Sequence, residues 1–353
     1  MTRGPVRHAY LDWVRGLAVL IMIEAHVLDA WTRVDDRTRP LFGYAMILGG
    51  FGAPLFLFLA GVAAVLSAQS KLRRTADFDA SWHAVQVRGW QVFGLAFLFR
   101  LQSYILSGGY SLASLLKVDI LNIMGPVIAA TALIGRMAQR TLVRGLFFAA
   151  AAAAITLLTP PVRVTPLLSW LPDPVEWYFR PFPGRTNFTL FPWAGFVFAG
   201  AVVGLVLDAF RAAGRAWRVQ AILAAAGSAA VWVAHEASSR PPMFTNSEYW
   251  TTSTSFFLLR VGLLTLLVPL GYLWEHAPLR HKLSSWSPLQ EFGISSLFVY
   301  WIHVEMVYGF FSRPIRRSLS LEGALVAYVL FTGFLLVLVR LKNRLTTSRG
   351  PSI

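Results

Sequence analysis

Long apolar runs recur along the chain, separated by short segments where charge, proline and glycine collect. Runs of about 18 or more apolar residues read as membrane helices, because a helix satisfies its own backbone groups in hydrocarbon. Ten such runs fall at about 11–31, 42–68, 85–106, 113–135, 143–159, 187–208, 217–236, 255–273, 292–311 and 322–341. The fifth is the shortest and ends in Thr159-Pro160-Pro161. The pattern predicts an all-α, polytopic membrane protein of about ten transmembrane helices, forming a single integral-membrane domain over 1–353. No internal repeat, soluble domain or metal-binding cluster stands out. The longest segment between runs is 160–186, PPVRVTPLLSWLPDPVEWYFRPFPGRT. It is rich in Pro, Trp and Phe and falls outside the membrane. It is expected to lie along the interface, where Trp prefers to sit; a lid or a sugar-binding surface is the alternative.

Composition agrees with the pattern. Hydrophobic residues make up 56% of the 353 and charged residues 14%, with a mean hydropathy of +0.56. A soluble domain carries more charge. The net charge of +15 would suggest nucleic acid in a soluble chain. Here the basic residues sit between apolar runs, so the positive-inside rule accounts for them and no nucleic-acid partner is expected. With the N-terminus inside, sixteen cations face the cytoplasm: Arg3, Arg7, Lys71, Arg73, Arg74, Arg136, Arg140, Arg144, Arg211, Arg215, Arg218, Arg280, Lys282, Lys342, Arg344 and Arg349. Ten face outward: Arg33, Arg37, Arg39, Arg163, Arg180, Arg185, Arg240, Arg313, Arg316 and Arg317. The bias predicts a cytoplasmic (inner) membrane protein with both termini in the cytoplasm. Arg3 and Arg7 before an apolar run resemble a signal peptide, but the run is too long and too charged, and it reads as an uncleaved first helix. The absence of cysteine excludes disulfides, thiolate metal sites and a cysteinyl acyl intermediate.

The chemistry begins in that first helix. DWVRGLAVLIMIEAHVLDAW, residues 12–31, is apolar enough to span, yet holds Asp12, Arg15, Glu24, His26 and Asp29. A charged group in hydrocarbon costs several kcal/mol by most scales, about 2.5–3.5 at the lowest. Arg15 and His26 are eleven residues apart, which is three helical turns plus roughly 20°, so both lie on one face about 16 Å apart along the axis. Asp12 falls beside Arg15, and Asp29 beside His26. Glu24 points elsewhere. Snorkelling explains Asp12 and Arg15, and buried ion pairs that fix packing are the plainer reading of the whole set. A stripe that runs most of the membrane depth favours a water-filled or substrate-filled path.

Other runs add polar groups at matching depths. Arg88 in the third lies near the inside, and Arg100 about 18 Å further out. Lys117, Asp119 and Asn122 fall in the outer half of the fourth, Arg260 in the outer half of the eighth, and Tyr300, His303 and Glu305 in the ninth. Two layers result. An inner layer of Arg15 and Arg88, with Asp12 beside Arg15, suits phosphate. An outer layer of His26, Asp29, His303, Glu305, Arg100 and Asp119 suits proton transfer. Such an arrangement fits a cytoplasmic phosphorylated donor and an external acceptor. Acyl-coenzyme A fits the donor: its nucleotide stays at the inner face, the pantetheine arm runs along the stripe, and the thioester arrives near His26. His26 would take the proton of an attacking hydroxyl or amine, or accept the acyl group itself. Asp29 would orient its ring, and Asn122 or Arg100 would stabilise the oxyanion.

LDWVRGLAVLIMIEAH, with its R-x10-H spacing, resembles the first-helix signature of the transmembrane acyltransferases. That superfamily includes the acyltransferase-3 proteins and the heparan-α-glucosaminide N-acetyltransferase catalytic domain family. APLFLFLAGVAAVLS (53–67), VDILNIMG (118–125), NFTLFPWAGFVFAGAVVG (187–204) and FGISSLFVYWIHVEMVYG (292–309) resemble further blocks of the second family's bacterial members, in order. The resemblance implies acetyl-coenzyme A-dependent O- or N-transfer of an acetyl group, across the membrane, to a glycan or lipid-linked sugar. It carries the family's essential Arg and His onto Arg15 and His26. The third-helix arginine motif of the acyltransferase-3 branch has only Arg88 and Arg100 here, at a different spacing. The external domain fused to some relatives is missing, so the membrane core and its short loops must recognise the acceptor.

The rival class is a proton-coupled transporter using the same intramembrane charges. No two-fold repeat and no matched pair of broken helices in the sequence supports it. A catalytically dead scaffold is the third reading, and the presence of both Arg15 and His26 opposes it.

Overall fold

The computed structural model describes residues 8–106, 112–211, 215–277 and 286–348. Arg3, Arg7, Arg280, Lys282 and Arg349, which entered the orientation argument, lie outside the described residues. Among the described residues the regular elements are helices, and no strand occurs. In chain order they are α1 (Ala9–Trp31), α2 (Pro40–Gly49), α3 (Gly52–Thr75), α4 (Phe78–Leu106), α5 (Ile120–Arg136), α6 (Thr141–Val164) and the single turn α7 (Asp173–Glu176). There follow α8 (Leu190–Arg211), α9 (Ala216–Ser238), α10 (Thr254–His276), α11 (Pro288–Ile294), α12 (Ser296–Tyr308) and α13 (Leu321–Ser348).

Each of the ten apolar runs contains helix, so the fold is all-α and polytopic. Among the described residues six stretches are long and apolar enough to cross a membrane outright: Pro40–Thr75, Thr141–Val164, Leu190–Phe210, Ala216–Ser238, Thr254–His276 and Leu321–Thr346. The shorter apolar helix Ile120–Arg136 joins them. α1 and α4 are also long enough, but α1 carries Asp12, Arg15, Glu24 and Asp29, and α4 carries Asp79, Arg88 and Arg100 and is diluted by polar residues such as Gln91, Gln102 and Ser103.

Four of the differences from the sequence pattern have a local cause. The run 42–68 is two helices, because α2 ends at Gly49 and the chain turns at Gly50 and Phe51 before α3. The fourth helix starts at Ile120 rather than 113. Asp119 is its N-cap: its carboxylate accepts from the Ile120 amide at 2.8 Å, while the Asn122 carbonyl oxygen accepts from the Asp119 amide at 3.0 Å. Lys117 and Asp119 therefore precede the helix and do not lie in its outer half. The fifth helix continues through Pro160 and Pro161 to Val164. The Thr156 and Thr159 hydroxyls bond back to the Ala152 and Ile155 carbonyls, and Asn246 donates to the Pro160 carbonyl at 2.9 Å. Such polar support lets a membrane helix tolerate proline. The run 292–311 breaks at Ser295, between α11 and α12. Within 160–186, the chain after α6 forms a short 3-10 turn at Pro166–Trp170 and then α7.

The chain divides into two compact units. The larger holds Pro54–Ile105 and Gly109–Pro269, and thus most of α3 through most of α10. Its helices approach closely where glycine removes the side chain: a Cβ at Gly61 would sit 1.9 Å from the Val197 carbonyl oxygen, and one at Gly200 1.9 Å from that of Phe58. Small residues let helices pack on van der Waals contact alone, which is the attraction left when the solvent is lipid.

The smaller unit holds Val6–Ala53 and Leu270–Ile353. Its axis is α1, which packs most extensively on α11 and also touches α2, α12 and α13. α1 and the α11–α12 pair run parallel: Asp12 lies beside Gly293, His26 beside His303, and the Trp31 indole donates to the Val307 carbonyl. A Cβ at Gly16 would lie 1.8 Å from the Leu289 carbonyl oxygen, and one at Gly293 1.8 Å from that of Asp12. At the far end of α1 the backbone is sewn to the start of α13. Arg33 N–H donates to Leu319 O at 2.8 Å, Leu319 N–H to Trp31 O at 3.0 Å, and Arg317 N–H to Ala30 O at 3.0 Å. Asp36 caps α13 from a distance, accepting from the Leu321 amide at 3.0 Å and from Arg33 Nε at 2.9 Å. Burial pushes the Asp36 carboxyl up, but the Leu321 amide and the Arg33 and Arg39 guanidinium groups outweigh it and hold the group below the usual carboxylate range.

Gly16→Ala is expected to lower the thermal midpoint of the detergent-solubilised protein, with a cost of about 1–3 kcal/mol or more from forcing two backbones apart. Gly94→Ala, whose Cβ meets nothing within 4 Å, is expected to be neutral or mildly stabilising. Equal melting of the two variants would show that the α1–α11 contact is not tight.

Candidate functional site

The smaller unit brings His26 and His303 together across α1 and α12. His26 Nδ1 lies 2.8 Å from His303 Nε2. The ring planes differ by 4° and the centroids are 5.1 Å apart, so the rings meet edge to edge through the facing nitrogens. His303 is fully buried, and its other nitrogen, Nδ1, lies 2.8 Å from the Val299 carbonyl oxygen. This contact fixes the tautomers. A carbonyl only accepts, so His303 Nδ1 carries the proton. In a neutral His303, Nε2 then has the lone pair and accepts from His26 Nδ1–H. That leaves the lone pair of a neutral His26 on Nε2. The pattern matches an orienting group behind a catalytic imidazole, with a second histidine where a carboxylate is more usual.

Asp29 does not orient His26. Its carboxylate accepts from Arg37 Nη1 at 3.4 Å and from the Tyr308 hydroxyl at 3.3 Å, and its side chain is about half exposed. The reason is the chain reversal after α1, which brings Arg37 back over the helix end. Tyr308, which the sequence reading did not single out, stands edge-on to His26 with centroids 5.4 Å apart. It is thus common to Asp29 and the imidazole. Its only sequence signal is its place at the last position of α12. Glu305 is two residues from His303, a rotation of about 200°, so the helix points it to another side. Tyr300 meets His303 edge-on at 5.9 Å.

Three turns away along α1, Arg15 Nη1 donates to Asp12 Oδ1 at 3.1 Å. Asp12 is buried and Arg15 partly exposed, so the carboxylate braces a guanidinium that still reaches outward. The pair sits beside the close α1–α11 contact, since Gly16 follows Arg15 directly.

In the larger unit, Arg100 pairs with Asp119, which also caps α5. Asn122 has both ends of its amide engaged: the oxygen closes the cap, and Nδ2 donates to the Tyr178 hydroxyl at 3.4 Å. Burial raises the Tyr178 phenol, partly offset by that bond. Arg88 Nη1 donates to Gln91 at 3.4 Å on an exposed stretch of α4. Arg260 lies over the Phe256 ring, 4.0 Å from its centroid. Each unit thus gathers its own share of the outer-layer residues predicted from sequence: His26–His303 with Asp29 and Tyr308 nearby in the smaller, and Arg100–Asp119–Asn122 with Tyr178 in the larger. Among the described residues no group of three or more His, Asp or Glu side chains has the arrangement to hold a metal ion.

No curated protein matches the chain. The family described as heparan-alpha-glucosaminide N-acetyltransferase, catalytic, matches residues 7–237, which take in Arg15 and His26 and stop short of His303. A helical chain whose first membrane helix carries these two residues, matched along more than half its length, belongs to that family of transmembrane acyltransferases.

Proposed function

We propose that the protein transfers an acyl group, acetyl in the first instance, from cytoplasmic acetyl-coenzyme A to a hydroxyl or amine of an extracytoplasmic glycan or lipid-linked sugar. The observation that carries this reading is the His26–His303 hydrogen bond, which joins a partly exposed imidazole to a fully buried one, with its tautomers set by Val299. Family membership supports acyl transfer over transport, and the family's acetyltransferases use acetyl-coenzyme A. Both termini lie in the cytoplasm, so that Arg15 is near the inner surface and His26 in the outer half of the membrane.

Each group then has a task. Arg15, braced by Asp12, holds donor phosphate at the inner end of α1, and Arg88 is the donor-binding candidate of the larger unit. The pantetheine arm follows the face of α1 from Arg15 to His26, about 16 Å by helix rise. His26 Nε2 takes the proton of the acceptor hydroxyl or amine as its oxygen or nitrogen attacks the thioester carbonyl. The imidazolium formed is stabilised through Nδ1–H by His303. Collapse of the tetrahedral intermediate breaks the carbon–sulfur bond, and the coenzyme A thiolate leaves with the proton returned from His26. His303 is a positioning residue in this scheme, because it touches His26 and not the substrate. Asp29, through Tyr308, steadies the outer edge of the site.

His26→Ala is expected to abolish release of free coenzyme A in the presence of amino-sugar or hydroxyl-sugar acceptors, a loss on the order of 10²-fold or more, with acetyl-coenzyme A binding retained. His303→Ala should lower kcat with little change in the KM for donor. Wild-type turnover by His26→Ala in proteoliposomes would sink the assignment of the base. Arg15→Ala is expected to weaken acetyl-coenzyme A binding at least tenfold in a calorimetric titration of purified protein. An unchanged affinity would remove the inner phosphate site from the scheme.

A further inference from the structure

The larger unit contains a cavity of about 410 Å³ that the transfer reaction leaves unused. This falls within the roughly 300–1,000 Å³ common for small-molecule sites. Arg100, Ser103, Tyr104, Ser114, Lys117, Gly184 and Arg185 line it. Three of these are cations, and one of them, Arg100, is paired with the Asp119 carboxylate. Among the described residues, Lys117 and Arg185 have no carboxylate in ion-pair contact, and Arg185 instead lies over the Trp177 ring at 5.6 Å. Arg100 Nε is buried with no hydrogen-bond partner.

The fold builds this concentration of charge deliberately close. The segment before α5 and the segment before α8 are joined by backbone hydrogen bonds, Val118 N–H to Arg185 O at 2.9 Å and Asn187 N–H to Val118 O at 3.0 Å. That bridge fixes Lys117 and Arg185 on adjacent strands of chain, and Arg100 is held against them through Asp119. Burial, and after it the like charge of Arg100, holds the Lys117 ammonium below the ordinary lysine range. An arriving anion would relieve the repulsion. Hydroxyls from two serines and a tyrosine supply neutral donors around the cations, the mixture that a tetrahedral oxyanion takes.

We propose that the cavity between Arg100, Lys117 and Arg185 is a binding site for a phosphate monoester. It is not the donor's phosphate site, because Arg100 lies about 18 Å along α4 from Arg88, by helix rise. A sugar phosphate carries that chemistry. The same chemistry is carried by an anionic lipid headgroup, and the experiment separates the two.

The full-length protein, purified in nonionic detergent and chloride buffer, is titrated calorimetrically with glucose 1-phosphate and with dioctanoyl phosphatidic acid. Glucose and dioctanoylglycerol serve as uncharged controls. The expected result is saturable binding of a phosphate probe that weakens at least tenfold in Lys117→Ala/Arg185→Ala and is retained in Lys117→Arg. Lys117→Gln alone makes the same comparison if the double variant does not fold. Binding of glucose 1-phosphate alone assigns a sugar phosphate, and binding of phosphatidic acid alone assigns a lipid headgroup; both uphold the anion site. Equal affinity in wild type and variants, no binding of either phosphate probe, or displacement of the probe by acetyl-coenzyme A would overturn the proposal. His26→Ala should bind the probes as wild type does, so a failure of acyl transfer is read separately from a failure of this site.

Discussion

The contact on which the smaller unit depends is the approach of α1 to α11, where two glycines allow one backbone to rest on another. Gly16 meets the Leu289 carbonyl and Gly293 meets that of Asp12, with no room for a methyl group at either place. Lipid supplies no hydrophobic drive for helices to associate, so such close contact must come from shape. Because the two chains run parallel, the contact also sets the register of everything beyond it. His26 meets His303 only because both lie a matching distance along the two paths, and Trp31 reaches Val307 for the same reason. The hydrogen bonds between the loop after α1 and the start of α13 close the other end. α1 is thereby pinned at both ends, and its polar stripe does not depend on its polar groups for its own placement.

The site shows how a membrane protein keeps ionisable groups in a low-dielectric setting. Several are given a specific neighbour. His303 sits between a carbonyl and an imidazole, Arg15 against a buried carboxylate, and Arg260 over an aromatic face. The charged residues that have no helix geometry to hold them, such as Lys117 and Arg185, are fixed instead by backbone bridges between loops.

Much of this was legible in the sequence because hydrocarbon imposes a single solution on the backbone. An apolar run of bilayer length must be helical, and each of the ten runs contains helix. The Arg15–His26 spacing is likewise a property of one helix and needs no tertiary information. What escaped was set by neighbours. The Ser295 break is supported by Lys342, which donates to the Ser295 hydroxyl at 2.9 Å. The passage of α6 through Pro160-Pro161 uses Asn246, far along the chain. Asp29 was placed on the correct face of α1, but its partners, Arg37 and Tyr308, arrive by a chain reversal and a second helix. Asp119 and Asn122 carried a readable local signal, the D-x-x-N spacing of a reciprocal cap, and the apolar run around them obscured it. The His26–His303 pairing rested on depth alone in the sequence. Depth fixes height in the membrane, whereas contact depends on rotation about the helix axis as well.

The hydrogen bond from His303 to the Val299 carbonyl has a bioenergetic consequence. A carbonyl oxygen accepts a hydrogen bond but does not carry a proton onward. In the acyl-transfer scheme proposed above, the relay that begins at His26 therefore ends at His303, and a proton taken up at His26 Nε2 returns by the same nitrogen. A membrane that stores energy as a proton gradient is at risk wherever titratable groups line a path across it. Under that scheme the wiring acts as insulation: protons exchange on one side of the dead end, and acyl transfer turns over without discharging the membrane.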